Sequence, residues 1–166
     1  LLEGAEELDR QNANYKKWLG LLSLEMGDLV MALEYTNRSI ELDPQDISVY
    51  SQLGAILNEM DDFDLAIKSY TAGLKVDPDD MRCRAGLAST LIKLGKLDEA
   101  KREIIEANKK GGEEHPMVLS VSALIDSFSG QKQEALGKIE QVLTTESSSL
   151  DVLLLAHQLM VNLEED

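Results

Sequence analysis

The chain has 166 residues, only 4% of them aromatic and only three of them prolines, and it carries a formal net charge of −15. This charge argues against nucleic acid as a partner, because phosphate contacts need clustered Lys and Arg, and it equally disfavours an anionic membrane surface. No apolar run approaches the roughly 20 residues of a membrane span. The single cysteine, Cys83, cannot form an internal disulfide and so leaves the redox compartment open.

One phrase recurs along the chain at a fixed interval. AEELDRQN at 5–12 returns as SIELDPQD at 39–46 and as GLKVDPDD at 73–80. Each copy starts 34 residues after the one before, and we call this step of 34 residues the period. Small residues keep the same step at Ala32, Ala66 and Ala100, and Ala135 follows one residue late. The extra residue lies in KKGGEEHP, which we expect to be a loop. A fixed period of this length predicts an array of repeated structural units.

Each period contains two apolar stripes at helical spacing, separated by a short polar break such as DDFD at 61–64. The Asp or Gly in the break is a stop and cap signal, and the DP that closes a period ends the second helix. We expect the two helices to approach closely where side chains are short, as at Gly54 and Ala66. Neither stripe is buried by one pair alone, so the pairs are predicted to stack.

In chain order, the pattern predicts six segments. The first is the tail of a preceding second helix, followed by three helix pairs, a divergent fourth pair and a terminal helix that is apolar nearly all round. Three interpretations of the terminal helix stay open: a cap, the start of a further repeat, or a self-association surface. The segments are 1–12, 13–46, 47–80, 81–115, 116–149 and 150–166.

These columns resemble the tetratricopeptide repeat (TPR) family. The second unit matches best, whereas Lys16 replaces the expected aromatic in the first unit and Ser122 replaces the leucine in the fourth. The resemblance implies an all-α fold, a right-handed α-solenoid of TPR-like helix-turn-helix repeats. The residues of the second unit that carry it are Tyr50, Leu53, Gly54, Ala66, Tyr70, Gly73 and Pro78.

Groups for catalysis, cofactor binding or metal binding are not predicted. The histidines, His115 and His157, and Cys83 are isolated in sequence, and no pair has metal-ligand spacing. The glycines follow the repeat period instead of forming a phosphate-binding loop. The acidic run EMDDFD at 59–64 lacks the ligand spacing of a calcium loop and is interpreted as a solvated turn. We therefore expect a chain that is not an enzyme and needs no cofactor.

The family resemblance implies that the first helix of each unit lines a concave groove that binds a protein or peptide. The alternative for each apolar member is contact with a neighbouring helix. Much of the positive charge in the only net-positive unit is interpreted as pairing along the helix surface, as between Asp98 and Arg102. The alternative is that Arg82 and Lys93 attract an acidic stretch of ligand into the groove. The predicted groove residues are Asn14, Lys17, Leu21, Leu24, Ser51, Ala55, Asn58, Arg82, Ser89, Ile92, Lys93, Leu124 and Phe128.

Some TPR proteins grip the C-terminal carboxylate of a chaperone with two lysines, two asparagines and an arginine. The matching positions here include Leu21 and Gly86, which lack the required donors, so this ligand is not expected. The predicted function is a non-catalytic interaction scaffold or adaptor. Two alternatives stay open: a regulatory segment of a larger enzyme, and a structural scaffold that self-assembles through its terminal helix.

Overall fold

The computed structural model of the chain describes residues 12–144, so the predicted helix tail before residue 12 and the predicted terminal helix of 150–166 lie outside the described residues. The described part is all-helical and contains no strand, as the sequence predicts. Its α-helices are α1 (Ala13–Glu25), α2 (Leu29–Leu42), α3 (Ile47–Glu59), α4 (Phe63–Val76), α5 (Met81–Lys93), α6 (Leu97–Lys109), α7 (Pro116–Phe128) and α8 (Lys132–Leu143).

The chain divides into two compact units, Leu1–Gly86 and Leu87–Asp166, with the boundary inside α5. In the first unit α1 packs on α2, α2 on α3 and α3 on α4, and α1 also contacts α3. In the second unit α6 packs on α7 and α7 on α8. Successive helices of each unit therefore bury their apolar stripes against each other, as the period requires.

Short polar side chains start the helices of the first unit. Asn12 caps α1, Asp28 caps α2, Asp46 caps α3 and Asp62 caps α4, each accepting a hydrogen bond from a backbone N–H of the first turn. Such a bond satisfies a donor that has no partner within the helix. They recur in the sequence because they cap successive helices of the first unit, whereas α6, α7 and α8 start without a side-chain cap.

The break between the two helices of a pair requires a left-handed backbone. Gly27, Gly95 and Gly130 have φ values of 76°, 74° and 75°, and Asp61, in the same column, has a φ of 59°. Glycine adopts this conformation without cost, and Asp is one of the few other residues that visit it. The recurring Gly or Asp of the sequence is thus a turn residue.

The extra residue of the third period lies in a single turn of 3₁₀-helix, Gly112–Glu114, which contacts both α6 and α7. Gly111 precedes it with a φ of 87°. Pro116 then occupies the first turn of α7, where a missing N–H costs nothing. The predicted loop is therefore a short helical turn that absorbs the insertion.

Candidate interaction surface

The first helices of the first two units, α1 and α3, lie side by side. Lys17 Nζ on α1 forms an ion pair with Asp46 Oδ2, 2.6 Å away at the start of α3. Gln52 Nε2 on α3 donates to Lys17 O at 3.2 Å and to Thr36 Oγ1 at 3.1 Å. These bonds fix the position of α3 against α1 and α2. We call the pair α1 and α3 the two-helix wall.

Asp46 caps α3 and neutralises Lys17 at the same time. Burial raises the pKa of the Asp46 carboxyl, but hydrogen bonds from Lys17 and Ser48 outweigh burial and leave its pKa below the ordinary value of 3.8. The carboxylate is therefore ionised at neutral pH. Lys17 was expected to face a ligand, but its charge is neutralised by this ion pair between two neighbouring helices.

The predicted groove residues of the two-helix wall differ in burial. Leu21 and Leu24 on α1 and Ser51 and Ala55 on α3 are half-buried, and Asn14 is exposed. Leu21 and Ala55 are one period apart, so they occupy equivalent positions on neighbouring helices. The wall thus offers partly accessible apolar and small side chains.

Asn58 is buried in the first unit, in contrast to the other predicted groove residues of the two-helix wall. Its Nδ2 donates to the hydroxyl of Tyr70 on α4 at 3.3 Å. Tyr70 is 4% exposed, and burial raises the pKa of its phenol. A buried phenol needs such a partner. Asn58 therefore acts within the helix pair, where it satisfies Tyr70.

The ring of Tyr70 lies between two glycines on different helices. A Cβ built on Gly54 of α3 would collide with three atoms of the ring, and a Cβ built on Gly86 of α5 would also collide with it. The sequence predicted close approach at Gly54, but paired it with Ala66 instead of Tyr70. The glycines make room for one large side chain.

The remaining predicted residues lie on α5 and α7. Arg82, in the first unit, is exposed, and its Nη2 lies 3.5 Å from Asp80 Oδ2. In the second unit Ser89, Ile92 and Leu124 are half-buried, Lys93 is exposed, and Phe128 is 65% exposed. Phe128 is therefore the most accessible large apolar side chain of the predicted set.

A polar cluster inside the fourth helix pair escaped the sequence analysis. Lys138 Nζ on α8 donates to Ser122 Oγ at 2.6 Å and to Asp126 Oδ2 at 2.5 Å on α7. Ser122 and Asp126 are both buried. The signal was present, because Ser122 replaces a leucine of the period, but nothing in the sequence connected it with Lys138.

An exposed apolar face on α1 was also missed. Tyr15, Trp18, Leu22 and Met26 recur at steps of three and four residues, which places them on one side of a helix. The helical spacing of these four apolar residues within 15–26 was the sequence signal that could have identified the face.

The described residues offer little for catalysis. Among residues 12–144 no group of three or more His, Cys, Asp or Glu side chains is arranged to hold a metal ion. Cys83 is fully buried, and burial, with Asp80 nearby, raises the pKa of its thiol to about 12. A thiol in this state is inert. None of the helices described is both long and apolar enough to cross a bilayer.

The architecture is that of a helix-pair repeat protein, and comparison identifies the repeat. Residues 57–125 match the family model of the tetratricopeptide repeat. The TPR resemblance predicted from the sequence is confirmed. No curated protein sequence gives a match to the chain.

Solved structures share the fold along nearly the whole chain. TTC0263, a thermophilic TPR protein of Thermus thermophilus, is 19% identical with a TM-score of 0.76, covering 96% of this chain and 87% of that one. YrrB, a TPR protein with an unusual peptide-binding site, is 18% identical with a TM-score of 0.62, covering 98% and 83%. A chain of the APC/C hetero-tetramer Cut9–Hcn1 is 16% identical with a TM-score of 0.79, covering 94% and 31%. These likenesses establish an α-solenoid fold of the TPR type.

Proposed function

We propose that the protein is a non-catalytic interaction scaffold that binds a peptide or partner segment along the two-helix wall. The observation that carries the proposal is that α1 and α3 are held together by the ion pair of Lys17 with Asp46 and by the hydrogen bond from Gln52 to Lys17 O. A surface held rigid before binding loses little conformational entropy when a ligand docks. TPR folds in general serve as protein-interaction scaffolds, which supports the same function.

The chemistry of the wall indicates the kind of ligand. Leu21 and Leu24 are half-buried and can provide apolar contact, while Ser51 and Ala55 are half-buried and short. Lys17 is already neutralised by Asp46. We therefore propose that apolar side chains of the ligand provide most of the affinity, with charge contributing less.

The proposal also includes the predicted residues outside the wall, among them an exposed aromatic side chain and two exposed cations. Phe128 is a candidate anchor for an apolar ligand group, and the two cations Arg82 and Lys93 are candidates for an acidic one. The further members are Ser89, Ile92 and Leu124. Asn14, at the exposed start of α1, completes the proposed set of contact residues. Asn58 is buried and contributes indirectly, by holding Tyr70 in place with a hydrogen bond.

The test is selection of a random-peptide display library against the intact chain, followed by affinity measurements on variants. We expect Leu21→Glu to weaken the selected peptides at least tenfold, because it places a charge on the apolar part of the wall. Leu65→Glu is the matched control, since Leu65 is an exposed leucine on α4, a second helix.

Far-UV circular dichroism shows whether both variants keep the helical fold. Peptides that bind all three proteins equally would show that the two-helix wall is not the binding surface. Peptides that lose affinity only with Leu65→Glu would place the binding surface on the second helices instead.

A further inference from the structure

The C-terminal ends of α1 and α3 carry exposed apolar side chains. Met26 and Met60 directly follow these two helices, one period apart, and are 76% and 41% exposed. Leu22, one turn before Met26, is 55% exposed, and Val30, in the first turn of α2, is 70% exposed. A group of accessible apolar side chains of this kind indicates an interaction surface.

Two contacts place the ends of α1 and α3 at the same edge of the first unit. Lys17 pairs with the cap of α3, and a Cβ on Gly20 would lie 2.7 Å from Nε2 of Gln52, six residues after that cap. The two helices therefore run in the same direction. Met26 lies six residues after Gly20 and Met60 eight residues after Gln52, or about 9 Å and about 12 Å along the helix axes. The two methionines thus lie at nearly the same level.

Carboxylates flank these apolar side chains. Glu25 and Glu59 immediately precede the two methionines, and Asp61 follows Met60 in the left-handed turn. The exposed carboxylates at the ends of α1 and α3 are Glu25, Asp28, Glu59, Asp61 and Asp62. We call these five residues, together with Leu22, Met26, Val30 and Met60, the turn edge.

The stretch of chain that forms the turn edge brings almost no positive charge with it. From residue 18 to residue 67 the only Lys or Arg is Arg38. Arg38 pairs with Glu41 at 2.7 Å, and it lies eight residues after Val30, about 12 Å along α2. The turn edge therefore combines accessible apolar side chains with a negative potential that attracts cations.

Charge decides between two kinds of occupant for this surface. A second copy of the chain carries the same net charge of −15, and a symmetric contact through the turn edge would bring its carboxylates against those of the first copy. Burying carboxylates without cations is costly. A segment whose apolar residues are flanked by Lys or Arg avoids this cost and covers the apolar side chains as well.

We propose that the turn edge binds a basic amphipathic segment of a partner protein. The apolar side chains of the segment cover Met26 and Met60, and its Lys and Arg side chains pair with Glu25 and Glu59. Methionine suits such a surface, because its unbranched side chain adapts to differently shaped apolar groups.

The turn edge is distinct from the predicted groove residues of α1. At 3.6 residues per turn, Leu22 and Met26 lie about 150° around the helix from Leu21 and Leu24. The two surfaces can therefore be occupied by different ligands, and the binding of a basic segment does not rest on the function proposed above.

The test is calorimetric titration of the intact chain with a synthetic helical peptide that has leucine on one face and lysine on the other. We expect this peptide to bind at least about tenfold more tightly than either of two control peptides. One control replaces every leucine by serine and keeps the charge, and the other replaces every lysine by glutamate and keeps the apolar face.

Two charge variants separate the turn edge from the net charge of the chain. We expect Glu25→Gln with Glu59→Gln to weaken the leucine–lysine peptide at least about tenfold. Glu134→Gln with Glu140→Gln removes the same charge from exposed positions on α8, and we expect it to weaken the peptide less than about threefold.

Two apolar variants test the methionines in the same way. We expect Met26→Ser with Met60→Ser to weaken the peptide at least about tenfold. Leu65→Ser with Ile105→Ser is the control, because both of these side chains are exposed and lie on second helices, α4 and α6. Far-UV circular dichroism verifies that all four variants keep the helical fold.

Four results would overturn the proposal. The leucine–lysine peptide does not bind, both charge variants weaken it equally, or the methionine variant binds it as the unaltered chain does. In the fourth, light scattering shows a dimer that Met26→Ser with Met60→Ser converts to a monomer, which assigns the turn edge to a second copy of the chain.

Discussion

A single added methyl group at Gly54 tests whether Tyr70 is packed as tightly as the structure shows. The Cβ of Gly54→Ala would collide with three atoms of the Tyr70 ring. The ring is 4% exposed and is bounded on its other side by Gly86. It therefore has no open space into which it can move.

Two opposing contributions determine the size of the effect. Alanine is favoured over glycine inside a helix by about 1 kcal/mol. Overpacking of a filled core costs about 1 to 3 kcal/mol, and a rigid ring between two backbones puts Gly54 at the upper end. We therefore expect Gly54→Ala to lower the free energy of unfolding by about 1 to 2 kcal/mol.

The assay is urea unfolding followed by far-UV circular dichroism, with Gly137→Ala as the control. Gly137 lies inside α8, and a Cβ there meets no atom within 4 Å. This control isolates the helix-propensity gain, and we expect it to raise the free energy of unfolding by about 1 kcal/mol. Equal gains at Gly54 and Gly137 would refute the packing argument.

A double variant identifies Tyr70 as the cause. One period later the chain carries Ala88 and Ile104 in the columns of Gly54 and Tyr70, and both are buried. We expect Gly54→Ala with Tyr70→Ile to cost at least about 1 kcal/mol less than the sum of the two single changes. Strict additivity would show that the two residues do not press on each other.

Two further predictions concern ion pairs. Lys138→Met leaves Asp126 and Ser122 without their shared donor, and we expect it to lower the free energy of unfolding in urea by about 2 to 3 kcal/mol. Adding Ser122→Leu and Asp126→Leu to Lys138→Met should restore the free energy of unfolding to within about 1 kcal/mol of the unaltered chain. A triple variant that does not recover would show that the cluster itself is needed for folding. For Lys17→Met we expect a loss that is full at neutral pH and shrinks as pH falls through the lowered pKa of Asp46, because the folded carboxylate then protonates. Unfolding measured at about pH 7 and at about pH 3 checks this, and a pH-independent difference would contradict it.

Part of the structure could be predicted from the sequence because it depends on local chemistry. The helix caps at Asp28 and Asp62 and the left-handed turns at Gly27 and Asp61 depend only on residues within one turn of each other. The fixed period predicted the family in the same way, since each repeat solves the same local problem again.

The environment of the groove residues was harder to predict from the sequence, because their burial depends on partners on other helices. Asn58 was expected at the ligand surface, yet it satisfies a tyrosine 12 residues away. Lys17 was expected to line the groove, yet it forms an ion pair with Asp46, which lies 29 residues away. Spacing along one helix identifies a face, but it does not show which neighbour that face meets.

The sequence by itself determined the helical class, the period, the cap residues and the turn positions, since each follows from backbone geometry within a few residues. Only the tertiary structure decided which side chains meet: Tyr70 with Gly86, and Lys138 with Asp126. Such contacts join different helices, so they depend on how closely the backbones approach and on the volumes of both partners.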